Sequence, residues 1–545
     1  MSPTALHDRK RLALLAAIMG SFVAGLDATA VNVALPSIAS DLGGGLAGQQ
    51  WVSNAYLLAL GSLILVGGSL GDVLGERRVF SIGVAGFGLV SVVCALAPSI
   101  EVLIAGRALQ GVFGALLTPS ALAVIVSTFT PDERGGAIGS WTAWSGIATV
   151  IGPLAGGWLV DAASWRWIFA INVPFVLIAL LLVRVAVPER DTSQVRRKID
   201  VVGAVLCALG LAGPVLALIR QPAVGWGSPE VIVPAVAGVA LLAAFLVWEA
   251  RTPYPMLPLE LFRRRNFAVG NAQTFAMYGG LGATFFFLVL FLQQVAGYTA
   301  LQAGLATIPT TLVMFTLSRR AGRLADRYGP RLLMGLGPLL SAVGLALLVR
   351  LDATVDYWTD VLPALVLYSL GLTATVAPLT ATVLADADES NAGIASGVNN
   401  AVARVAGLLV VAAMGAAISA SFTSQLDKEI GGRRLSPAAQ RAIDQAKKRA
   451  IAQADVHGVP APERPIVRRG VSDASVHAFR MGIGTSAVLV ALGGLLGLAG
   501  IVNPRRVVRC EDCAGGQLAG QPVEAGNDRL PVVQLPAREA PATSS

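Results

Sequence analysis

The sequence places Asp27 well inside the apolar stretch 12–36 and Arg107 inside the apolar stretch 103–126. An apolar environment disfavours an ionised carboxylate, so an acid in such a stretch can exchange a proton near neutral pH. Arginine keeps its proton, so Arg107 can stabilise the ionised acid or polarise a water molecule but cannot carry the proton itself. These two residues predict a proton-coupling site. The alternatives are an Asp27 that is hydrogen-bonded and never titrates, and an Arg107 that extends to the membrane surface.

Other chemistry has little support in the sequence. His7, His457 and His477 lie outside the apolar stretches, so carboxylates must carry any proton chemistry inside a membrane. Cys510 and Cys513 have CxxC spacing, which is a weak metal or redox signal without a second ligand pair. The sequence has no nucleotide-binding loop, metal-ligand cluster or nucleophile triad. We therefore expect no cofactor, no metal and no enzymatic activity.

A second charged motif, GSLGDVLGERR at 68–78, recurs as GRLADRYGPR at 322–331. Acid–arginine pairs at a membrane surface contribute only about 0–1 kcal/mol each, but a latch acts by forming in one conformation and breaking in another. We predict such a latch on the cytoplasmic side. The alternative is a solvated topological signal. The residues assigned to this latch are Gly68, Asp72, Gly75, Arg77, Arg78, Gly322, Asp326, Gly329 and Arg331.

A third motif, GPLAGG at 152–157, lies in the apolar stretch 138–160. Gly152, Gly156 and Gly157 permit close helix approach, while Pro153 removes a backbone donor and bends the helix. The motif is equally compatible with a hinge or seal and with simple packing.

Polar and aromatic side chains in otherwise aliphatic stretches are the candidates for a substrate path. With few fixed charges available, such a path suits an amphipathic or cationic organic compound better than a phosphate or a dicarboxylate. The candidates are Asn32, Trp144, Asn271, Gln273, Tyr278 and Gln294.

These residues must be positioned by membrane-spanning helices. Of the 545 residues, 54% are hydrophobic and 14% charged, too little charge for a soluble protein of this size. Apolar stretches of about 20 residues, the length that crosses roughly 30 Å of hydrocarbon, recur along the chain. We expect an all-α polytopic fold with fourteen spans. They are 12–36, 51–71, 79–98, 103–126, 138–160, 167–187, 201–219, 230–249, 267–293, 302–323, 331–350, 360–384, 395–422 and 478–502.

Arginine and lysine collect in alternate loops, which places both termini in the cytoplasm by the positive-inside rule. The net charge of +8 therefore indicates membrane sidedness rather than a nucleic-acid partner. We expect a multi-pass protein of a plasma or bacterial inner membrane that works as a monomer.

The repeated charged motif divides the chain into two six-helix halves if two central helices are set aside, a common transporter plan. We predict an N-terminal bundle (1–190), an inserted pair of helices (191–262) and a C-terminal bundle (263–502), followed by a disordered tail (503–545). The C-terminal bundle contains a long external loop (421–476), in which we expect one amphipathic helix capped at Ser436. A solvated loop without a role in transport is the alternative.

Together the motifs resemble the major facilitator superfamily, specifically its fourteen-helix drug:proton antiporter branch. The resemblance covers residues 12–502 and rests on GSLGDVLGERR at 68–78, LDATAVNVALP at 26–36, RALQG at 107–111 and GPLAGG at 152–157. It implies a role for Arg107 in proton transfer and a role for the GPLAGG motif in limiting proton leak. The usual glycine upstream of that motif is here Ala148.

The residues and the resemblance together favour a proton-coupled exporter of amphipathic or cationic organic compounds such as drugs or antibiotics. The alternatives are a proton-coupled uptake symporter and a membrane sensor or scaffold without transport. The GPLAGG motif argues against uptake. A scaffold would not need the acid at Asp27.

Overall fold

The computed structural model describes residues 3–187, 200–385, 392–431, 433–451 and 453–503, and within these ranges every regular element is helical. A short 3-10 helix (Leu259–Arg263) precedes α10, and one π-helical turn (Tyr357–Val361) precedes α13. The α-helices are α1 (Pro3–Leu42), α2 (Gly45–Leu74), α3 (Glu76–Ala95), α4 (Ile100–Thr128), α5 (Pro131–Ala162), α6 (Trp167–Ala170), α7 (Asn172–Ala186), α8 (Val201–Val224), α9 (Pro229–Arg251), α10 (Arg265–Gln294), α11 (Ala300–Tyr328), α12 (Pro330–Leu348), α13 (Leu362–Ala385), α14 (Ala392–Ile430), α15 (Pro437–Arg449) and α16 (Arg464–Gly500).

The expected all-α fold is confirmed. Thirteen helices in the described part of the chain are long and apolar enough to cross a membrane. The predicted span 51–71 corresponds to α2, a helix of 30 residues that is not among these thirteen, so the count of fourteen stays a prediction. The predicted tail and most of the linker before α8 lie outside the described residues.

Helix packing repeats between the first and the last six long helices. In the first set α1 contacts α5 and α7, α3 contacts α4 and α7, and α2 contacts α4. In the second set α10 contacts α14 and α16, α12 contacts α13 and α16, and α11 contacts α13, which is the same pattern in the same order. The pair α8 and α9 contact each other, and α8 also packs against α2 and α14. This pattern agrees with two halves and an inserted hairpin; the exact domain boundaries stay a prediction.

The two faces of the bundle are defined by α1. We call the face where α1 begins and α2 ends the N-terminal face, and the face where α1 ends at Leu42 the opposite face. On the N-terminal face, Lys10 Nζ lies 2.5 Å from Glu133 Oε2, which ties the start of α1 to the start of α5. Lys10 and the N–H and hydroxyl of Thr130 hold the pKa of the Glu133 carboxyl at about 2, so this ion pair persists at neutral pH.

On the opposite face the described part of the predicted external loop 421–476 contains the expected helix and is packed rather than solvated. The helices α14 and α16 continue to Ile430 and back from Arg464, well beyond the predicted spans, and α15 lies between them. Ser436 caps α15 by accepting from the Ala439 N–H at 3.3 Å, as expected from the sequence. The alanine and isoleucine face of α15 is buried in the same hydrophobic core as Phe422 and Leu426. We call α15 with these two helix extensions the cap.

The repeated charged motif forms two turns with nearly identical backbone geometry. Gly75 ends α2 and begins α3 with φ 89° and ψ 137°, and Gly329 ends α11 and begins α12 with φ 82° and ψ 150°. Both values lie in the left-handed half of φ space, where a Cβ clashes with the following carbonyl. Glycine at these two positions therefore sets the angle between consecutive spans in both halves.

We expect Gly75→Ala to lower the thermal stability of the detergent-solubilised protein, because positive φ costs a residue with a Cβ about 1–2 kcal/mol. Gly71→Ala is the matched control. Gly71 is four residues earlier in α2, a Cβ there would meet nothing within 4 Å, and alanine favours a helix. Differential scanning fluorimetry should show a lower Tm for Gly75→Ala and an equal or higher Tm for Gly71→Ala. Equal loss in both variants would show that backbone conformation at Gly75 is not the cause.

Candidate functional site

Asp27 and Arg107 form a buried ion pair between α1 and α4. Arg107 Nη1 lies 2.5 Å from Asp27 Oδ2, and the two residues are 1% and 0% exposed. Arg107 lies two turns after the start of α4. Its guanidinium points inward to the acid rather than outward to the membrane surface. The structure thus brings together the two residues that the sequence selected for proton coupling.

Further donors complete the surroundings of the pair. Asn172 at the start of α7 donates from Nδ2 to Asp27 Oδ1 at 3.2 Å, and Arg107 donates from Nε to the Val52 carbonyl at 3.1 Å. Arg107 Nη1 also donates to Gln110 Oε1 at 2.8 Å, and Gln110 in turn donates to Ser91 Oγ at 2.9 Å. Both Asp27 oxygens therefore accept from donors that come from two other helices.

Aromatic rings cover the guanidinium. Arg107 Cζ lies 4.4 Å from the centre of the Tyr56 ring and 5.7 Å from the centre of the Phe169 ring. Cation–π contact of this kind contributes about 0.5–2 kcal/mol and excludes water from the charged group. The rings thereby strengthen the electrostatic interaction within the ion pair.

Sequence reasoning missed Asn172, Ser91 and Asn54. Asn172 stands in NVP at the start of a span, and a polar residue at the end of an apolar stretch gives no sign of the helix that it will contact. Asn54 is 0% exposed, and neither of its side-chain polar atoms has a hydrogen-bond partner. It lies four residues after Gln50 and seven before Gly61, so all three share the α2 face that packs on α14.

The GPLAGG motif touches both halves of the molecule. Gly152 and Gly156 lie directly against Thr29 and Ala30 of α1. Gly157 approaches α11, where a Cβ would lie 2.6 Å from Leu301 Cα, and Gly304 of α11 approaches the Pro153 carbonyl, where a Cβ would lie 2.5 Å away. Any side chain at these glycines would separate α5 from α1 or α11. The seal or hinge function of the motif stays a prediction.

Hydrogen bonds between the halves lie toward the opposite face. Gln50 of α2 donates to the Val411 carbonyl of α14 at 2.8 Å, and Gln293 of α10 donates to the Val33 carbonyl of α1 at 2.9 Å. Asp161 at the end of α5 accepts from two N–H groups that begin α11, those of Ala300 at 3.2 Å and Leu301 at 2.9 Å. The structure is therefore a conformation in which the halves are joined at the opposite face.

The two latch motifs make equivalent contacts within their own halves. Arg77 Nη2 donates to the Arg184 carbonyl of α7 at 3.3 Å, and Arg331 Nε donates to the Leu498 carbonyl of α16 at 2.7 Å. Because α7 and α16 occupy equivalent places, each arginine ties its turn to the last helix of its half. Arg78 is exposed, Gly68 lies near Pro119 of α4, and Gly322 is buried. The side chains of Asp72 and Asp326 lie outside the described part of the structure.

The candidate path residues fall into different environments. Asn271 is buried on α10, where it donates to the Phe267 carbonyl at 2.9 Å and accepts from Asn399 of α14 at 3.2 Å. Gln273 points away from α14 and donates to the Met334 carbonyl of α12, so it connects helices within the second half. Trp144 is 48% exposed. The partly exposed candidates are Asn32, Tyr278 and Gln294.

A bundle of long apolar helices that buries an ion pair between α1 and α4 is that of a multi-pass membrane protein. Residues 17–411 match the model of the Major Facilitator Superfamily, and the chain belongs to this family.

Relatives and solved structures agree with this assignment. The chain is 39% identical over 412 residues to the puromycin resistance protein pur8 of Streptomyces alboniger, covering 74% of this chain and 81% of the relative. It is 35% identical over 414 residues to the tetracenomycin C resistance and export protein of Streptomyces glaucescens, covering 75% and 76%. A crystal structure of a bacterial homologue of the human lysosomal transporter Spinster superposes with a TM-score of 0.62 at 16% identity and covers 92% of this chain and 100% of that one. This last likeness shows the fold alone.

We expect Asp27→Asn and Arg107→Gln to be strongly coupled in their effect on stability. Each single change leaves the other charge buried without its counter-ion, which costs about 3–5 kcal/mol. The double variant removes both charges, so its loss of stability should be smaller than the sum of the two single losses by about 1–3 kcal/mol. Thermal or denaturant unfolding of the four purified proteins measures this difference. Additive losses would show that the two side chains do not act as a pair.

Proposed function

We propose that this protein is a proton-coupled antiporter that exports amphipathic or cationic organic compounds, such as drugs or antibiotics, by alternating access. The observation that carries the coupling is the fully buried Asp27–Arg107 ion pair in the middle of the first span. Burying such charges costs several kcal/mol, so they are retained where they serve a function or where exceptional packing compensates for the cost.

The groups around Asp27 indicate which protonation state this conformation holds. Arg107 and Asn172 both present N–H donors to the carboxylate, and a protonated acid would place its own hydrogen against one of them. This conformation therefore favours the ionised acid. Protonation would weaken the bond to Arg107 and release α4 from α1, so the proton and the conformation are linked.

Loop charges support a cytoplasmic position for the N-terminal face and for both termini. With this orientation, the conformation joined at the opposite face is closed to the outside. An exporter in this outside-closed conformation, with Asp27 ionised, has released its proton to the cytoplasm and binds its substrate from there. An uptake symporter in the same conformation has released both proton and substrate to the cytoplasm, so the proposed direction rests on the relatives named for resistance and export.

The substrate class rests on the relatives and on the composition of the interior. Two relatives are named for resistance to puromycin and to tetracenomycin C, both of which are organic compounds. In the described residues the charged side chains buried within the helices are Asp27, Arg107 and Glu249. An interior with so little fixed charge accommodates a large apolar body better than a polyanion.

Two other functions compete with this proposal. A proton-coupled uptake symporter would use the same acid but move the substrate in the direction of the proton. A membrane sensor or scaffold would have no use for a coupled acid, and it would leave any proton gradient unchanged when candidate substrates are added.

The proposal predicts that drugs dissipate a proton gradient in inverted vesicles that contain the wild-type protein, and that Asp27→Asn abolishes this response. The neutral amide cannot release a proton, although it keeps the size of the side chain. Asp41→Asn is the matched control because Asp41 is on the same helix but exposed, where it pairs with Arg166 at 2.5 Å. Fluorescent pH probes measure the gradient across a panel of cationic and neutral drugs.

The outcomes separate the three functions. An unchanged response in Asp27→Asn would contradict the role of Asp27, and no response to any drug in wild-type vesicles would favour the scaffold. Substrate accumulation in the direction of the proton would favour uptake.

Alternating access also predicts opposite effects of two neighbouring substitutions on α2. Asn54→Leu replaces an unpartnered buried amide by an apolar group of similar size, so it should stabilise the present conformation by about 1–3 kcal/mol. Gln50→Leu removes the hydrogen bond to the Val411 carbonyl and should destabilise it by about 0.5–1.5 kcal/mol.

Asn54→Leu should therefore raise the Tm and slow transport, because the outside-closed state becomes harder to leave. Gln50→Leu should lower the Tm. Scanning fluorimetry and vesicle transport measure both variants. A lower Tm for Asn54→Leu would show that Asn54 is satisfied in this conformation and does not oppose it.

A further inference from the structure

The inserted hairpin contains a pair of carboxyl groups that the proposed transport mechanism does not use. Asp200 caps the start of α8, and Glu249 lies in the last turn of α9, where it is 3% exposed. The two helices contact each other along their length, which brings these ends together at the N-terminal face.

One oxygen of each carboxyl group is bound by ordinary donors. Asp200 Oδ1 accepts from the Gly203 N–H and from the Trp248 indole N–H, each at 2.8 Å. Glu249 Oε2 accepts from the Leu257 N–H at 2.9 Å. These bonds fix the orientation of both side chains.

The second oxygens, Asp200 Oδ2 and Glu249 Oε1, are buried and have no hydrogen-bond partner. They converge on one point, because a Cβ at Gly203 would lie 2.5 Å from each of them. Two ionised carboxylates held in this way repel each other and lose their hydration, whereas one shared proton supplies the only missing donor. Carboxyl pairs in other proteins share a proton for this reason.

Within the described part of the chain, no other charged group neutralises the pair. The titratable neighbour on α8 is Cys207, two turns inward, and on α9 it is Arg251, which is exposed. Of the helices packed against α8, α14 contributes Arg404, which lies beside Gly61 of α2 rather than at the pair. Among the described residues, the hydrogen bonds and ion pairs bring no cation to either carboxyl group.

We propose that Asp200 and Glu249 form a second protonation site, in which one proton bridges Glu249 Oε1 and Asp200 Oδ2 and holds the start of α8 and the end of α9 together. The helix α8 packs against α2 of the first half and α14 of the second. Loss of the proton would set two like charges against each other at the base of a hairpin that touches both halves. The site thus makes the inserted hairpin responsive to pH on the N-terminal face, independently of Asp27.

The test is the pH dependence of thermal stability of the full-length protein in detergent. The folded state would hold a proton that an unfolded chain releases above about pH 4, so the free energy of unfolding falls as the pH rises. Glu249→Gln supplies a permanent N–H donor to Asp200 and should remove this component of the pH dependence. Glu230→Gln is the matched control on the same helix, since Glu230 is exposed and lies 3.9 Å from Arg220.

We expect the Tm of the wild-type protein and of Glu230→Gln to fall more between pH 5 and 8 than the Tm of Glu249→Gln. Asp200→Asn serves as the second variant if Glu249→Gln does not fold, and it should flatten the profile in the same way. Infrared difference spectra at neutral pH should show the C=O stretch of a protonated carboxylic acid that disappears in Glu249→Gln and persists in Asp27→Asn. This last comparison distinguishes a proton on the Asp200–Glu249 pair from a proton on Asp27.

Two results would overturn the proposal. One is a Tm profile for Glu249→Gln parallel to that of the wild type together with no protonated-acid band at neutral pH. The other is a rise in wild-type Tm on addition of Na⁺, K⁺, Mg²⁺ or Ca²⁺ that Glu249→Gln abolishes, which would show that a metal cation rather than a proton joins the two carboxyl groups.

Discussion

The architecture depends on an ion pair that must be kept dry. An acid and an arginine inside a membrane bundle are stable only when they are paired and hydrogen-bonded, and here Asn172, Gln110 and the Val52 carbonyl make hydrogen bonds to the pair. The pair and these partners together come from four helices, so the pair is intact only when α1, α2, α4 and α7 are correctly packed. The ion pair thus joins four helices of the first half around one charge.

Close helix contacts and tight turns lie where side chains are smallest. The glycines of the GPLAGG motif bring α5 against α1 and against α11, while Gly75 and Gly329 set equal turns in the two halves. Close backbone contact is strong when the surfaces match and is lost completely when they separate, since dispersion forces fall off within about an ångström. Such interfaces favour two discrete conformations over a continuous range.

Local features of this chain could be predicted from sequence because their causes are local. The spans follow from apolar stretches, and the N-terminal capping of α15 follows from Ser436. Asp27 and Arg107 could be selected because each is a charged residue inside an apolar stretch. The predicted spans are shorter than α14 and α16 because both helices continue beyond the membrane into the cap. There their apolar side chains are buried against other protein side chains instead of lipid. Asn54 and the Asp200–Glu249 pair could not be predicted, since their significance is a missing partner, which only the packed structure shows.

The inserted hairpin occupies a position that gives it influence over both halves. Because α8 contacts both α2 and α14, any movement of these two helices relative to each other also changes their packing against α8. Asn54 and Gln50 lie on the α2 face that meets α14, so the polar groups that oppose and favour closure sit next to this same contact. A hairpin whose base is held by a carboxyl pair can then bias the equilibrium between conformations without touching the substrate, because it acts on the packing energy of the interface that transport must break.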